Sequence, residues 1–100
     1  MSNGKASRNV PVVNSQGLHA RPAALIVKLT SQYQSKIEII KDSLRIDGKS
    51  ILDILTLGAP QGTTLLIEAD GPDADAALEA LSALFASKFG EDDEEQSQAS

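Results

Sequence analysis

The chain of 100 residues contains no cysteine and a single histidine, His19. The absence of thiols excludes disulfides, thiolate metal sites and cysteine nucleophiles, and it fits a reducing compartment. One imidazole cannot build a zinc site of several histidines, so we expect neither a metal nor a cofactor. Aromatic residues are also few, at Tyr33, Phe85 and Phe89, so aliphatic side chains and alanine must fill the core.

Long apolar runs are missing as well. No stretch approaches the roughly 20 residues that a membrane-spanning helix needs, and the polar N-terminal stretch carries no signal-peptide pattern. One hundred residues correspond to a single small domain. We therefore expect one soluble cytoplasmic domain that does not insert into membranes.

The acidic charge of the chain is confined to its C-terminal end. The formal net charge is −5, and residues 91–95 hold five of the fourteen acidic groups. The other nine acidic groups balance the nine basic ones, so nothing suggests nucleic-acid binding. We expect a flexible leader over residues 1–8, a folded domain over residues 9–90 and a disordered acidic tail over residues 91–100.

Hydrophobic periodicity over the body of the chain predicts alternating strands and helices. Pro11 lies between the valines of the first apolar stretch, which indicates an edge strand because proline has no N–H to donate. The order β-α-β-β-α-β-α predicts an α+β domain with helices on one face of an antiparallel sheet. The predicted elements are a strand around residues 10–13, a helix over 22–31, strands over 36–40 and 44–46, a short helix from Ser50 that ends near Gly58, a strand over 63–69 and a long helix that is opened by residues 71–73 and stops at Gly90.

The strongest candidate site is the segment from Asn14 to Ala24, where a glycine turn precedes His19, Arg21 and an apolar helix. A helix N-terminus favours a phosphate group through its unpaired N–H groups and its dipole. The neutral imidazole ring is a nucleophile for phosphorus, and an arginine binds phosphate oxygens in pairs. The pattern therefore predicts phosphoryl transfer at His19 with Arg21 as the orienting group. The residues alone leave a second interpretation, in which His19 caps the helix and Arg21 is a solvated charge.

Ser50 is the second candidate. Ser50 and Asp53 form a near match to a capping box, which predicts a helix cap worth about 1 kcal/mol. The functional alternative is regulatory phosphorylation, which would place a charge of about −2 beside whatever this helix contacts.

The short helix after Ser50 is apolar on more than one side. Ile51, Leu52 and Leu55 share one face, while Ile54 and Leu57 lie nearer another. We expect one set to pack inside and the other to form an exposed docking patch, unless loops cover both.

Taken together, the motifs resemble the HPr family, the histidine-containing phosphocarriers of the bacterial phosphoenolpyruvate-dependent sugar phosphotransferase system. The resemblance covers roughly residues 9–90 and depends on Gly17–Ala23, Gly48–Ile51, Leu57-Gly58 and Gln61–Thr63. It implies an open-faced β-sandwich, in which a four-stranded antiparallel sheet carries three helices on one face.

The resemblance also implies a relay function. His19 would accept a phosphoryl group on Nδ1 from phospho-enzyme I and pass it to the IIA domains of sugar permeases, with Arg21 orienting the group. Ser50 falls on the serine that HPr kinase/phosphorylase modifies in many bacteria. The docking surface would comprise Ala24, Lys28, Ile51, Leu52 and Leu55. The resemblance thus implies a monomeric carrier with a transient phosphohistidine, and not an enzyme.

Three departures from the family keep alternatives open. The acidic tail extends past the usual end of the family near the third helix, and Asp53 stands where some relatives have a basic residue. Leu25 and Leu29 also make the first helix more apolar than the family leads us to expect. One alternative is a regulatory paralogue, in nitrogen-type phosphotransferase signalling or as a partner of transcription regulators. The other is a small ligand-binding α+β module in which His19 is only a cap.

Overall fold

The computed structural model describes residues 4–91. These residues form the elements in the predicted order β-α-β-β-α-β-α, followed by a short 3-10 turn. No helix within them is long and apolar enough to cross a membrane. The elements are β1 (Lys5–Pro11), α1 (Ala20–Thr30), β2 (Lys36–Lys41), β3 (Leu44–Asp47), α2 (Ile51–Thr56), β4 (Thr64–Asp70), α3 (Ala74–Ala86) and the 3-10 turn (Lys88–Gly90).

The four strands form one sheet in the order β1-β4-β2-β3, and every neighbouring pair is antiparallel. β1 lies at the end of this order, so the predicted edge strand is confirmed. Pro11 stands opposite Thr64 at the last pair of the ladder, where a missing N–H does little harm. The α+β class, the four-stranded antiparallel sheet and the three helices are thus as predicted.

The first strand starts earlier than the sequence pattern indicates. Lys5 pairs with Asp70 and Arg8 with Ile67, so the prediction of a leader over residues 1–8 is wrong for residues 5–8. Its other part, residues 1–3, lies outside the described residues. The reason is that backbone pairing needs no apolar side chain at an exposed edge. Arg8 instead crosses to α3, where Nη1 donates to Ser82 Oγ at 3.0 Å.

The core lies between the sheet and the helices. Alternate strand residues point to the helices, because successive side chains of a strand face opposite sides. α1 contributes Ala23, Ile26 and Thr30, whereas Val27 is only half-buried. The largest fully buried apolar side chains are Val12, Ile26, Ile37, Ile39, Ile54, Leu65, Ile67, Leu81, Phe85 and Phe89.

The last helix ends before the predicted stop at Gly90. α3 finishes at Ala86, and Lys88 and Phe89 then take left-handed backbone angles, with φ of 59° and 58°. Such angles are strained for residues with a Cβ, and burial of the Phe89 side chain offsets the strain. Its ring packs edge-on against Phe85 with centroids 4.8 Å apart. The chain therefore turns back towards the start of α1.

Candidate functional site

The loop before His19 is pressed against the loop between α2 and β4. Gly17 has φ of +69°, and a Cβ there would lie 2.5 Å from the Ala59 carbonyl oxygen. The next residue, Leu18, donates its N–H to that same oxygen at 2.9 Å. Only glycine fits this close approach and this backbone angle, so the glycine turn predicted from the sequence positions the start of α1.

His19 is the N-cap residue of α1, but its side chain makes no capping hydrogen bond. Its backbone is extended, with φ of −94° and ψ of −167°, and its carbonyl accepts from the Ala23 N–H at 3.0 Å. The imidazole instead lies 2.8 Å, from Nε2 to Oε2, from the carboxylate of Glu91. The interpretation of the imidazole as a helix cap is therefore wrong.

The start of α1 favours an anion. The N–H groups of Ala20 and Arg21 belong to the first turn, which has no carbonyl acceptors within the helix. Pro22 has no N–H that needs a partner, and the first turn contains no acidic residue. No acidic side chain of the helix therefore compensates the positive end of its dipole. The imidazole of His19 lies beside this end and is half-exposed, with 39% of its side chain accessible.

Arg21 connects this helix start to the C-terminal turn. Its Nη1 donates to the Phe89 carbonyl oxygen at 3.0 Å and lies 3.9 Å from Glu91 Oε2. More than half of the side chain is exposed. A guanidinium has five N–H donors, so this anchoring leaves donors for an incoming anion. The structure thus brings together both residues that the sequence predicted for the site.

Two further residues belong to the site without a role predicted from the sequence, although Asn14 begins the predicted segment. Asn14 is fully buried, and its Nδ2 donates to the Gly17 carbonyl at 2.8 Å and to Glu91 Oε1 at 3.0 Å. Glu91 is only 17% exposed, so the prediction that the disordered tail begins at residue 91 is wrong for this residue. The nitrogens that bind its carboxylate, His19 Nε2 and Asn14 Nδ2, lie 72 and 77 positions earlier in the chain. A local sequence pattern cannot reveal such contacts. The rest of the predicted tail, residues 92–100, lies outside the described residues.

Ser50 is the N-cap of α2, as predicted. Its Oγ accepts a hydrogen bond from the Asp53 N–H at 3.2 Å. The Asp53 carboxylate does not complete the capping box, because its Oδ2 accepts from the Asp47 N–H at 3.3 Å, while the Ser50 N–H donates to the Asp47 carbonyl. The hydroxyl therefore already has a stabilising role in the unmodified protein.

The outer face of α2 is an exposed apolar patch. Ile54 and Leu57 are buried, whereas 75% of Leu52 is exposed, with Ile51 and Leu55 exposed beside it. This confirms that one set packs inside, and it overturns the alternative that loops cover both. We call Ile51, Leu52 and Leu55 the α2 patch. The two residues of α1 predicted to dock partners, Ala24 and Lys28, are also exposed, on a helix that packs against α2.

Comparison with known proteins identifies the family. Residues 6–87 match the family model described as the PTS HPr component phosphorylation site. The phosphocarrier protein HPr of Treponema pallidum is 44% identical over 85% of this chain and 97% of its own length. The phosphocarrier protein NPr of Shewanella violacea is 38% identical over 87% of this chain and 96% of its own length.

Solved structures agree with this result. A crystal structure of HPr from Thermoanaerobacter tengcongensis has a TM-score of 0.84 and 41% identity, covering 87% of this chain and 98% of that one. A crystal structure of an HPr dimer from the same organism has a TM-score of 0.70 and 44% identity, covering 82% and 94%. These matches define this chain as a phosphocarrier protein, a class of carriers and not of enzymes. It belongs to the HPr family of the phosphotransferase system.

Proposed function

We propose that His19 accepts a phosphoryl group on Nδ1 from phospho-enzyme I and passes it to IIA domains of sugar permeases. The observation that carries this proposal is the placement of the imidazole at the start of α1, where Nε2 is bound to Glu91. Nδ1 makes no hydrogen bond to any residue from 4 to 91. The site therefore offers one ring nitrogen for attack and holds the other.

Arg21 and the helix N-terminus supply the electrostatic part of the site. Phosphoryl transfer depends mainly on positioning and on stabilisation of the negative charge on the equatorial oxygens. The N–H groups of the first turn and the donors of Arg21 meet this need without a metal ion. Arg21 thus orients the group while the ring forms the bond.

The direct test is phosphorylation with phosphoenolpyruvate and enzyme I. We expect one acid-labile phosphate per chain, none in His19→Ala, and a slower reaction in Arg21→Lys because lysine cannot bind two oxygens in the same plane. Arg8→Lys is the matched control, since Arg8 lies against α3, away from the site. Equal labelling of His19→Ala would contradict the assignment.

We infer that the α2 patch, together with Ala24 and Lys28, contacts the partner proteins. Exposed apolar side chains grouped in one place are typical of interaction sites. Leu52→Ala should raise the KM for enzyme I by about fivefold or more, as expected for a central contact worth over 1 kcal/mol. Leu44→Ala is the control, because Leu44 is also exposed but lies on β3, outside the patch. Equal KM values for the two variants would exclude the patch as the docking site.

Ser50 is proposed as a regulatory phosphorylation site, modified by an HPr kinase/phosphorylase where the host has one. A phosphate there would add a charge of about −2 directly beside Ile51 of the patch. Ser50→Asp should therefore slow phosphorylation of His19, whereas Ser50→Asn should not, since both residues cap helices equally well. Equal rates for Asp and Asn would rule out the charge mechanism. Kinase labelling that persists in Ser50→Ala would place the modified serine elsewhere.

A regulatory paralogue is the second candidate function, favoured by the likeness to NPr and by the acidic Asp53 beside the patch. Growth of an HPr-deficient strain that carries this gene, on a sugar taken up by the phosphotransferase system, distinguishes a sugar carrier from a regulatory paralogue. Growth supports the sugar carrier. Failure to grow, with His19 phosphorylated normally in the purified system, supports a regulatory role.

We also propose that the carrier works as a cytoplasmic monomer. Within residues 4–91 the large exposed apolar side chains are Leu44 and the three of the α2 patch, whereas permanent dimers bury large apolar interfaces. Sedimentation at micromolar concentration should give the mass of one chain. A dimer, as crystallised for the Thermoanaerobacter protein, would contradict this part of the proposal.

A further inference from the structure

We propose that Glu91 sets the tautomer of His19, holding the proton on Nε2 so that Nδ1 carries the lone pair that attacks phosphorus. The inference rests on the proposed function of His19. It assigns a positioning role to a residue that the sequence pattern placed in the acidic tail.

The first support is the chemistry of the contact. Glu91 Oε2 lies 2.8 Å from Nε2, and an ionised carboxylate only accepts hydrogen bonds. The hydrogen between them must therefore be on Nε2. In a neutral imidazole, one ring nitrogen then bears the proton and the other bears the lone pair. The contact thus makes Nδ1 the nucleophilic atom.

The second support is the way in which the carboxylate is held. The Asn14 amide faces two oxygens, the Gly17 carbonyl at 2.8 Å and Glu91 Oε1 at 3.0 Å. Both are acceptors, so the NH2 group must point towards them and the amide orientation is unambiguous. Asn14 therefore fixes one carboxylate oxygen while His19 binds the other. Arg21 is the neighbouring cation, with Nη1 3.9 Å from Oε2.

The arrangement also fits the charge that develops during transfer. The Nδ1 lone pair forms the N–P bond, and the bond from phosphorus to the donor's leaving atom breaks, its electron pair departing with the donor. The proton stays on Nε2, so no base has to remove it, and the ring becomes a cation. A carboxylate in hydrogen-bond contact with Nε2 stabilises that cation. Glu91 thus prepares the nucleophile and complements the product.

Glu91→Gln is the sharpest variant because Asn14 determines how the new amide must lie. Asn14 donates to the oxygen position, so the carbonyl of the introduced glutamine should take that place and its NH2 should face His19. Nε2 would then have to accept a hydrogen bond, and the proton would move to Nδ1. We expect the tautomer to reverse, and phosphorylation to slow by about 10- to 100-fold, the range found when the partner that orients a metal-bound histidine is lost.

Two measurements on the full chain test the inference. The ring 15N chemical shifts of the unphosphorylated protein, at a pH where the imidazole is neutral, report the tautomer directly. We expect the Nε2–H form in the wild type, the Nδ1–H form in Glu91→Gln, and the Nε2–H form again in Glu91→Asp, which keeps a carboxylate. Rates of phosphorylation by enzyme I are then compared for the same proteins. Glu79→Gln is the control, since it removes the same charge from an exposed site on α3.

The outcomes separate this inference from the proposed function. An Nδ1–H tautomer in the wild type, no tautomer change in Glu91→Gln, or a changed tautomer with an unchanged rate would each overturn the role of Glu91. A faster Glu91→Gln would do so too, because the carboxylate would then merely repel the phosphoryl group. Failure of the wild-type chain to accept phosphate would instead refute the function of His19, whichever tautomer the spectrum reports.

Discussion

The starts of α1 and α2 place their first side chains in opposite roles. His19 and Ser50 are both N-cap residues with extended backbones. The Ser50 hydroxyl caps its own helix through the Asp53 N–H. The His19 side chain caps nothing and lies against Glu91. The difference teaches that the side chain at an N-cap position can either cap its own helix or contact a residue far along the chain.

The two helix starts also differ in how far along the chain their partners lie. Asp53 is three positions from Ser50, whereas Glu91 is 72 positions from His19. The hydrogen bond at the start of α2 is therefore local, and a short segment of the chain can form it. The start of α1 becomes a complete site only when the C-terminal turn folds back over it.

The largest expected effect comes from releasing the C-terminal turn that folds over the start of α1. Phe89→Ala should lower the free energy of unfolding by about 3–5 kcal/mol, because it removes a buried ring that packs on Phe85. Denaturant unfolding measures the loss. Phe89→Leu, which keeps much of the volume, should cost clearly less. An unchanged free energy of unfolding in Phe89→Ala would mean that the ring does not hold the C-terminal turn in place.

The next effect separates the two faces of α2. Ile54→Ala should cost about 2–5 kcal/mol because the side chain is fully buried. Leu52→Ala should stay within about 0.5 kcal/mol, since most of that side chain is exposed. The free energies of unfolding of both variants are obtained from the midpoints of denaturant unfolding, provided that the m-value does not change. A large loss for Leu52→Ala would show that the α2 patch has a structural role.

A smaller effect compares how much the two N-cap side chains, Ser50 and His19, contribute to the free energy of unfolding. Ser50→Ala should cost about 1 kcal/mol because the Asp53 N–H loses its acceptor. His19→Ala removes no capping bond, but it does remove the contact with Glu91. In a Glu91→Ala background it should therefore change stability by no more than about 0.5 kcal/mol. Thermal or denaturant unfolding gives the comparison, and the idea fails if His19→Ala in that background costs as much as Ser50→Ala.

The smallest expected effect concerns the start of α3, whose N-cap Asp73 also bonds away from its helix. The Ser35 hydroxyl and the N–H groups of Gln34 and Ser35 donate to its carboxylate. The Ser35 hydroxyl, and then the Gln34 N–H, lower the pKa of Asp73 from its usual value of 3.8. Because the folded pKa is below the unfolded one, this stabilisation is present above about pH 4 and is lost as the pH falls through the folded pKa.

Denaturant unfolding between pH 7 and pH 2 checks this dependence. The stability difference between the wild type and Asp73→Asn should shrink as the pH falls, because both side chains are then uncharged. Ser35→Ala is the control, since it removes the largest cause of the shift and should flatten the pH dependence. A difference that stays constant with pH would contradict the assignment.

Much of the fold could be predicted from the sequence, because the helices and strands depend on the spacing of residues that are close together in the chain. The apolar period of α1, the alternation in β2 and the capping serine of α2 each concern residues within one or two turns. Pro11 marked an edge strand for an equally local reason, the missing N–H. The start of β1 was not accessible, because residues 5–8 pair with β4 through their backbone and carry no apolar pattern.

The candidate site divides in the same way. The order of glycine, histidine, arginine and proline determined, by itself, that a nucleophilic ring lies at a helix start beside a guanidinium. Only the tertiary structure decided what holds that ring. Glu91 and Asn14 meet at His19 because Phe89 is buried and turns the chain back, bringing together groups 72 and 77 positions apart. Local periodicity carries no information about such contacts, since they depend on how the helices pack on the sheet.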